Sequence, residues 1–206
     1  MFPKDLRNKL AELRITSLIG TINLENIEAV REDLLRFALS SSQPAKLLID
    51  SSGGFLAEGL FLFDFIKTID IPVIGIVNGR CMSIAVNILQ ACSKRFATSH
   101  SWFMIHAISS GKKYVFDNDY DREIEDQERI LNIMYEQVLD ILTKKTCKTR
   151  EEIDGLLRKG DKYGRKLCAI DALNMGLLDR ILSENEAKLF QYVNRNISVL
   201  ESVEIV

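Results

Sequence analysis

The run from Val73 to Ala91 leaves a chain of this kind few ways to fold. Val73-Ile74-Gly75-Ile76-Val77 is a short β-branched apolar run that ends at Asn78-Gly79, and a second apolar run, Ile84 to Ala91, begins directly after Ser83. The first reads as a buried strand and the second as a buried helix. A strand that is apolar on both faces needs helices on both sides of its sheet, which points to βαβ units and a largely parallel sheet. The rest of the chain repeats the alternation. Strands are expected over Arg14–Gly20, Lys46–Asp50, Phe103–Ile105 and Leu177–Leu182, and helices over Glu25–Leu39, Leu56–Thr68, Asp117–Thr143, Thr149–Gly160 and Arg165–Met175. Pro72 opens one strand as a rigid start. With 206 residues and 47% hydrophobic content, residues 1–182 can bury a full core as a single α/β domain. Residues 183–206 form a C-terminal extension to which the sequence assigns no role.

Where the Val73–Ala91 pair joins, the chain makes chemistry possible. Ser83 is lifted onto a tight strand-to-helix turn, with the first free helix amides beside its hydroxyl. Upstream, the strand Leu47-Leu48-Ile49-Asp50 empties into Ser51-Ser52-Gly53-Gly54, and a glycine pair lets backbone N–H groups turn toward a common point. Downstream, Phe103-Met104-Ile105 ends in His106, one of two histidines in the chain. Serine, histidine and converging amides are the parts of an acyl-transfer site. Each also has a plainer reading: Ser83 as a helix N-cap, His106 as a buried structural histidine, and Gly53-Gly54 as a turn. His100 is read as structural or exposed.

Composition closes off other classes. The formal charge of −2 gives no electrostatic footprint for a nucleic-acid partner. Cys81, Cys92, Cys147 and Cys168 contain no C-x-x-C pair, so no metal and no cofactor are expected, and the thiols are expected to be reduced. Met1-Phe2-Pro3-Lys4-Asp5 lacks the apolar core of a signal peptide, and no apolar run reaches the ~18 residues that span a membrane. A cytoplasmic location without membrane attachment is the expectation.

Four segments in order carry a family resemblance: Ile49-Asp50-Ser51-Ser52-Gly53-Gly54, Gly79-Arg80-Cys81-Met82-Ser83, Met104-Ile105-His106 and Ala172-Leu173-Asn174-Met175-Gly176-Leu177-Leu178-Asp179. Together they resemble the N-S-P-G-G, G-x-A-A-S-M-G, M-I-H-Q-P and A-x-x-x-G-L-V-D segments of the Clp protease proteolytic subunit family. The resemblance covers about Arg14 to Leu182. It implies the ClpP/crotonase-like fold, a repeated β-β-α spiral with a largely parallel sheet and a protruding handle helix, here about 117–143. It implies a serine-type endopeptidase with Ser83 as nucleophile, His106 as general base, and the amides of Gly54 and Ile84 as the oxyanion pocket. The family's orienting aspartate corresponds to Asp161 if Gly164-Arg165-Lys166 is an insertion that bulges out, and an ungapped alignment puts Gly164 at that position instead. Polypeptide substrates and a homo-oligomeric ring, heptameric or double, are implied as well.

Departures from the pattern set further expectations. Ser52 replaces a proline and is expected to loosen its loop, and Cys81-Met82 adds bulk expected to narrow the pocket beside the serine. The segment ahead of the core is short for the loop by which the family engages an AAA+ unfoldase, which sets an expectation of peptide hydrolysis without ATP. Two alternatives stand beside the peptidase: a catalytically impaired ring subunit with a structural role, and an acyl-CoA enzyme of the crotonase type, which would leave Ser83 and His106 unused.

Overall fold

The computed structural model describes residues 4–107, 120–158 and 164–186. In chain order the elements are α1 (Lys4–Glu12), β1 (Ile15–Ile22), α2 (Leu24–Ser40), β2 (Ala45–Gly54), α3 (Leu56–Thr68), β3 (Val73–Met82), α4 (Ile84–Ala91), β4 (Lys94–Ala97), β5 (Trp102–Ile105), α5 (Tyr120–Lys145), α6 (Arg150–Arg158), β6 (Arg165–Cys168), α7 (Ala169–Asn174) and β7 (Arg180–Ile181). Strands β1-β2-β3-β4-β7 lie parallel in that order, and an offshoot carries β5 on β3 and β6 on β5. Among the described residues only the β5–β6 pairing is antiparallel. The expected α/β architecture with a largely parallel sheet is therefore what the chain forms.

Alternation along the strands divides the core in two. Leu47 and Ile49 of β2 and Val77 of β3 join Leu34, Leu62, Ile88 and Leu89 under α2, α3 and α4. Leu48 and Ile76, one residue out of phase, join Leu10 of α1, Ile15, Phe96 and Leu182 on the other face. Each such fully buried Leu or Ile contributes about 1.5–3 kcal/mol of burial free energy. Helix α1 was not expected from its charge-rich sequence, and its buried Leu10 is what ties it to the sheet.

Two irregularities in β3 determine where Ser83 and β5 lie. The strand does not stop at Asn78-Gly79 as the turn signal suggested. It continues to Met82, with Ile49 opposite Val77 but Ser51 opposite Cys81, so β3 carries two extra residues against β2. Asp50 fills that bulge: its Oδ1 accepts the Arg80 N–H at 2.9 Å and the Arg80 Nε–H at 2.9 Å. Gly79 sits there at φ 138°, where a Cβ would lie 2.8 Å from the Asp50 carboxylate. Beyond the bulge, β3 leaves β4, which pairs with Ile74–Val77, and takes β5 as its partner at Arg80–Met82.

Three other segments differ from expectation. Ser51-Ser52-Gly53-Gly54 is the end of β2 rather than a turn, paired with β1 as far as Ile22. Strand β4 was not foreseen. Arg165–Cys168 is strand rather than the start of a helix, and the helix is confined to Ala169–Asn174. Of the C-terminal extension the structure describes only 183–186, where Ser183 Oγ and the Ser183 N–H both donate to Glu186. The remainder, like the segment 108–119 containing the expected start of the handle helix at Asp117, lies outside the described residues.

Candidate active site

Helix α4 starts directly off the end of β3, so the single residue between them must reverse the backbone. That residue is Ser83, at φ 57° and ψ −130°. Such a conformation costs a non-glycine residue about 1–3 kcal/mol and persists only where its surroundings impose it. The Ser83 N–H donates to the Met104 carbonyl on β5 at 2.7 Å. Gly53 presses on the other side: at φ 88°, a Cβ there would lie 2.6 Å from Ser83 Cβ and 2.8 Å from the Met82 carbonyl oxygen. Gly59 of α3 makes the same kind of contact with Ile84, where a Cβ would lie 2.2 Å from Cγ1.

Ser83 makes no side-chain cap to its helix. Its Oγ is instead 2.8 Å from His106 Nε2, across 23 residues of sequence. The other ring nitrogen, Nδ1, is 2.6 Å from the carbonyl oxygen of Ala107. A carbonyl can only accept, so Nδ1 carries a proton, and in the neutral ring Nε2 is the acceptor for the serine hydroxyl.

The ring is held from two sides. Arg165 and Lys166 of β6 pair with Ile105 and Met104, so Gly164-Arg165-Lys166 is not a bulging insertion. Gly164, at φ 80°, lies against the histidine, where a Cβ would come 2.5 Å from His106 Cβ. On the other side the Ala107 N–H donates to the Leu157 carbonyl of α6 at 3.0 Å. Helix α6 is in turn fastened to α5, since Tyr135 Oη donates to Asp154 at 2.6 Å, and within α6 Arg158 Nε donates to the same carboxylate at 2.7 Å. Burial, with the Asp154 hydrogen bond adding to it, pushes the Tyr135 hydroxyl up to about 12, so it remains a donor. The Tyr135 bond and then Arg158 hold Asp154 below the usual carboxylate range.

Beside Ser83 and His106 opens a cavity of about 480 Å³. Ser52, Gly54, Phe55 and Leu56 bound it from β2 and α3, Ile84 and Asn87 from α4, and Leu131, Val138, Leu142 and Leu157 from α5 and α6. Thus four of the residues named from sequence, Ser83, His106, Gly54 and Ile84, border one cavity. Asp161, the fifth, lies outside the described residues. Ile84 opens α4, so its N–H has no carbonyl one turn back to bond.

The substitutions near the serine act differently from expectation. Cys81 is fully buried in the core, and neither it nor Met82 borders the cavity. The strand around Ser52 is pinned by buried Ser51, whose Oγ donates to the Gly20 carbonyl at 2.7 Å and accepts the Gly53 N–H at 3.1 Å. All four cysteines are unpaired, and burial pushes the Cys92 thiol up to about 12. Among the described residues no three His, Cys, Asp or Glu side chains converge on a metal position, and no helix is long and apolar enough to cross a membrane. His100 is exposed between β4 and β5, with Nδ1 3.1 Å from Ser99 Oγ. Sequence reasoning missed the Ala107 carbonyl and Asn87. The second had a signal, as one of two amide side chains in the otherwise apolar Ile84–Ala91.

A sequence model of the Clp protease family matches residues 3–185. The chain is 41% identical over 113 residues to ATP-dependent Clp protease proteolytic subunit 2 of Treponema denticola, a match that spans 53% of this chain and only 56% of that relative. It is 32% identical over 158 residues to ATP-dependent Clp protease proteolytic subunit 1 of Chlamydia muridarum, spanning 75% of this chain and 78% of that one.

Proposed function

The chain belongs to the Clp protease family, and from that premise we propose that it is a serine endopeptidase acting on polypeptides within a homo-oligomeric ring. The observation that carries the reading is the 2.8 Å contact between Ser83 Oγ and His106 Nε2, made by a serine that caps nothing. A serine hydroxyl is a weak nucleophile at neutral pH unless a base lies within hydrogen-bond reach. In the proposed reaction Ser83 Oγ attacks the peptide carbonyl while His106 Nε2 takes its proton. The charge that develops on the carbonyl oxygen is met by the N–H groups of Gly54 and Ile84. His106 then returns the proton to the leaving amine, and the acyl group on Ser83 is released by a water that His106 activates in the same way.

Asp161 remains the proposed orienting acid even though Arg165 and Lys166 are paired rather than bulged out, so that Gly164 holds the place the ungapped alignment gives to the aspartate. It is the acidic residue nearest along the chain to Gly164, which lies against His106. To serve, its carboxylate has to replace the Ala107 carbonyl as acceptor of the Nδ1–H.

Fluorophosphonate labelling tests the reading. The expected result is one adduct, on the peptide containing Ser83, lost in Ser83→Ala and in His106→Ala, with no further loss in the double variant because the pair acts as a unit. An unlabelled Ser83 in an intact assembly would favour the impaired structural subunit. Labelling that survives Ser83→Ala would move the nucleophile elsewhere.

A further inference from the structure

We propose that Asn87 makes this site selective for a primary carboxamide, glutamine above all, as the residue on the amino side of the cleaved bond. The proposal rests on the serine peptidase reading and gives it a substrate class. Asn87 lies one turn into α4 from Ser83 and is 2% exposed, yet it forms part of the cavity wall. Its only hydrogen bond among the described residues is a long one, Nδ2 to the Val138 carbonyl of α5 at 3.4 Å. That contact fixes which end of the amide is nitrogen. It leaves the second N–H of Nδ2 and the whole of Oδ1 without a protein partner among the described residues.

The other amide of the same helix shows what a structural role looks like. Gln90 is completely buried, its Nε2 donates to the carbonyls of Val86 and Leu177, and its Oε1 accepts from Arg95 Nη1 at 2.6 Å. Both ends of Gln90 are engaged. Asn87 has the same burial and a different disposition: one donor and one acceptor, coplanar, among the apolar side chains of Val138, Leu142 and Leu131.

A group of that kind selects by complementarity. A substrate carboxamide presents an N–H and a C=O side by side, so it can satisfy both free edges of Asn87 at once. A hydroxyl can satisfy one edge. A carboxylate would set its charge against Oδ1, and an ammonium would lose its hydration among leucines. A purely aliphatic side chain fills the cavity but strips the water from Oδ1 and replaces it with nothing, and sites built to hydrogen-bond discriminate strongly against such analogues. One helical turn is about 5.4 Å, which favours the reach of glutamine over asparagine.

The test is a set of fluorogenic peptides that differ only at that residue, carrying Gln, Asn, Met, norleucine or Leu. They are hydrolysed by the wild-type protein, by Asn87→Leu and by Asn87→Ala. For wild type the expectation is that Gln exceeds Met and norleucine, its near-isosteres, in kcat/KM. In both variants the Gln-to-Met ratio should fall by about tenfold or more, the size expected when a buried hydrogen-bonding partner is removed. Asn87→Ala introduces no bulk and carries the test if Asn87→Leu fails to fold. A wild-type ratio at or below one, or a ratio unchanged in both variants while Ser83 is still labelled by fluorophosphonate, overturns this proposal alone. Absence of hydrolysis together with absence of labelling overturns the peptidase reading, and this proposal with it.

Discussion

Ser83 can stand at φ 57° only because its neighbours leave it the space, and the residue that leaves most is Gly53. Two effects of a Gly53→Ala change can be separated. The positive φ is a strain on the backbone, and the overlap with Ser83 Cβ displaces Ser83. Gly20 supplies the control, since it has φ 82° but nothing within 4 Å of where a Cβ would be. Gly20→Ala should therefore cost about 1 kcal/mol of stability and leave fluorophosphonate labelling unchanged. Gly53→Ala should slow labelling by roughly 100-fold, the penalty for a misplacement of about 1 Å. Equal labelling rates in the two variants would mean that Gly53 does not position the serine. His106 poses a second question at this scale, because its Nδ1–H already has an acceptor in the Ala107 carbonyl. If Asp161 takes that place in the working enzyme, Asp161→Asn should lower turnover by several orders of magnitude with assembly intact. Unchanged turnover would assign the orientation of the ring to the backbone carbonyl alone.

At the scale of elements, His106 is coupled to α5 through α6. Tyr135 and Arg158 hold Asp154, and the far end of α6 holds Ala107 through the Leu157 carbonyl. Tyr135→Phe removes one bond of that clasp and should cost about 1 kcal/mol in thermal or urea denaturation. Because His106 is next to Ala107, the same change should lower kcat more than it raises KM. A purely structural clasp would lower stability and leave both constants alone. A second clasp joins β4 to β7: Arg95 donates to Asp179 and to the carbonyl of Gly176. Burial raises the Asp179 pKa, but the Arg95 hydrogen bonds and charge outweigh it and leave the group below its usual value. A depressed carboxylate stabilises the fold above its unfolded pKa, ~3.9, and loses that contribution as pH falls through the folded value. Wild type should therefore lose more stability than Asp179→Asn between about pH 5 and 3. These links were hidden from sequence for a physical reason. Helix α2 shows itself by apolar periodicity and α4 by an unbroken apolar run, whereas β6, which among the described residues pairs with β5 alone, exposes Arg165 and Lys166, so it lacks the buried strand's signature. The amphipathic look of 165–175 then passes for one helix.

Over the whole molecule, the Val73–Ala91 run was enough to read a parallel sheet with covering helices, and Ser83 and His106 stood out because each adjoins an apolar element, whereas Gly54 and Ile84 were named through the family resemblance. What was not legible depends on contacts between distant elements: the bulge that Asp50 fills 30 residues from Arg80, and a cavity wall shared by Asn87 and Val138, 51 residues apart. The same distinction applies to assembly. Along α5 the residues Tyr135, Val138, Leu139 and Leu142 are buried against the domain, while Ile130 and Ile133 remain 52% and 51% exposed one turn apart. Covering the half of each isoleucine that is still exposed contributes about 1 kcal/mol, and a ring repeats that gain at every subunit. We therefore expect mass photometry to find the wild-type protein at a multiple of its 23.4 kDa chain mass. Ile130→Glu combined with Ile133→Glu should reduce that multiple while leaving the denaturation midpoint of the isolated subunit within about 0.5 kcal/mol of wild type, because neither side chain belongs to the core. A loss of stability equal to that of a core substitution would return these residues to the fold, and a wild-type protein monomeric at micromolar concentration would remove the ring from the proposed function.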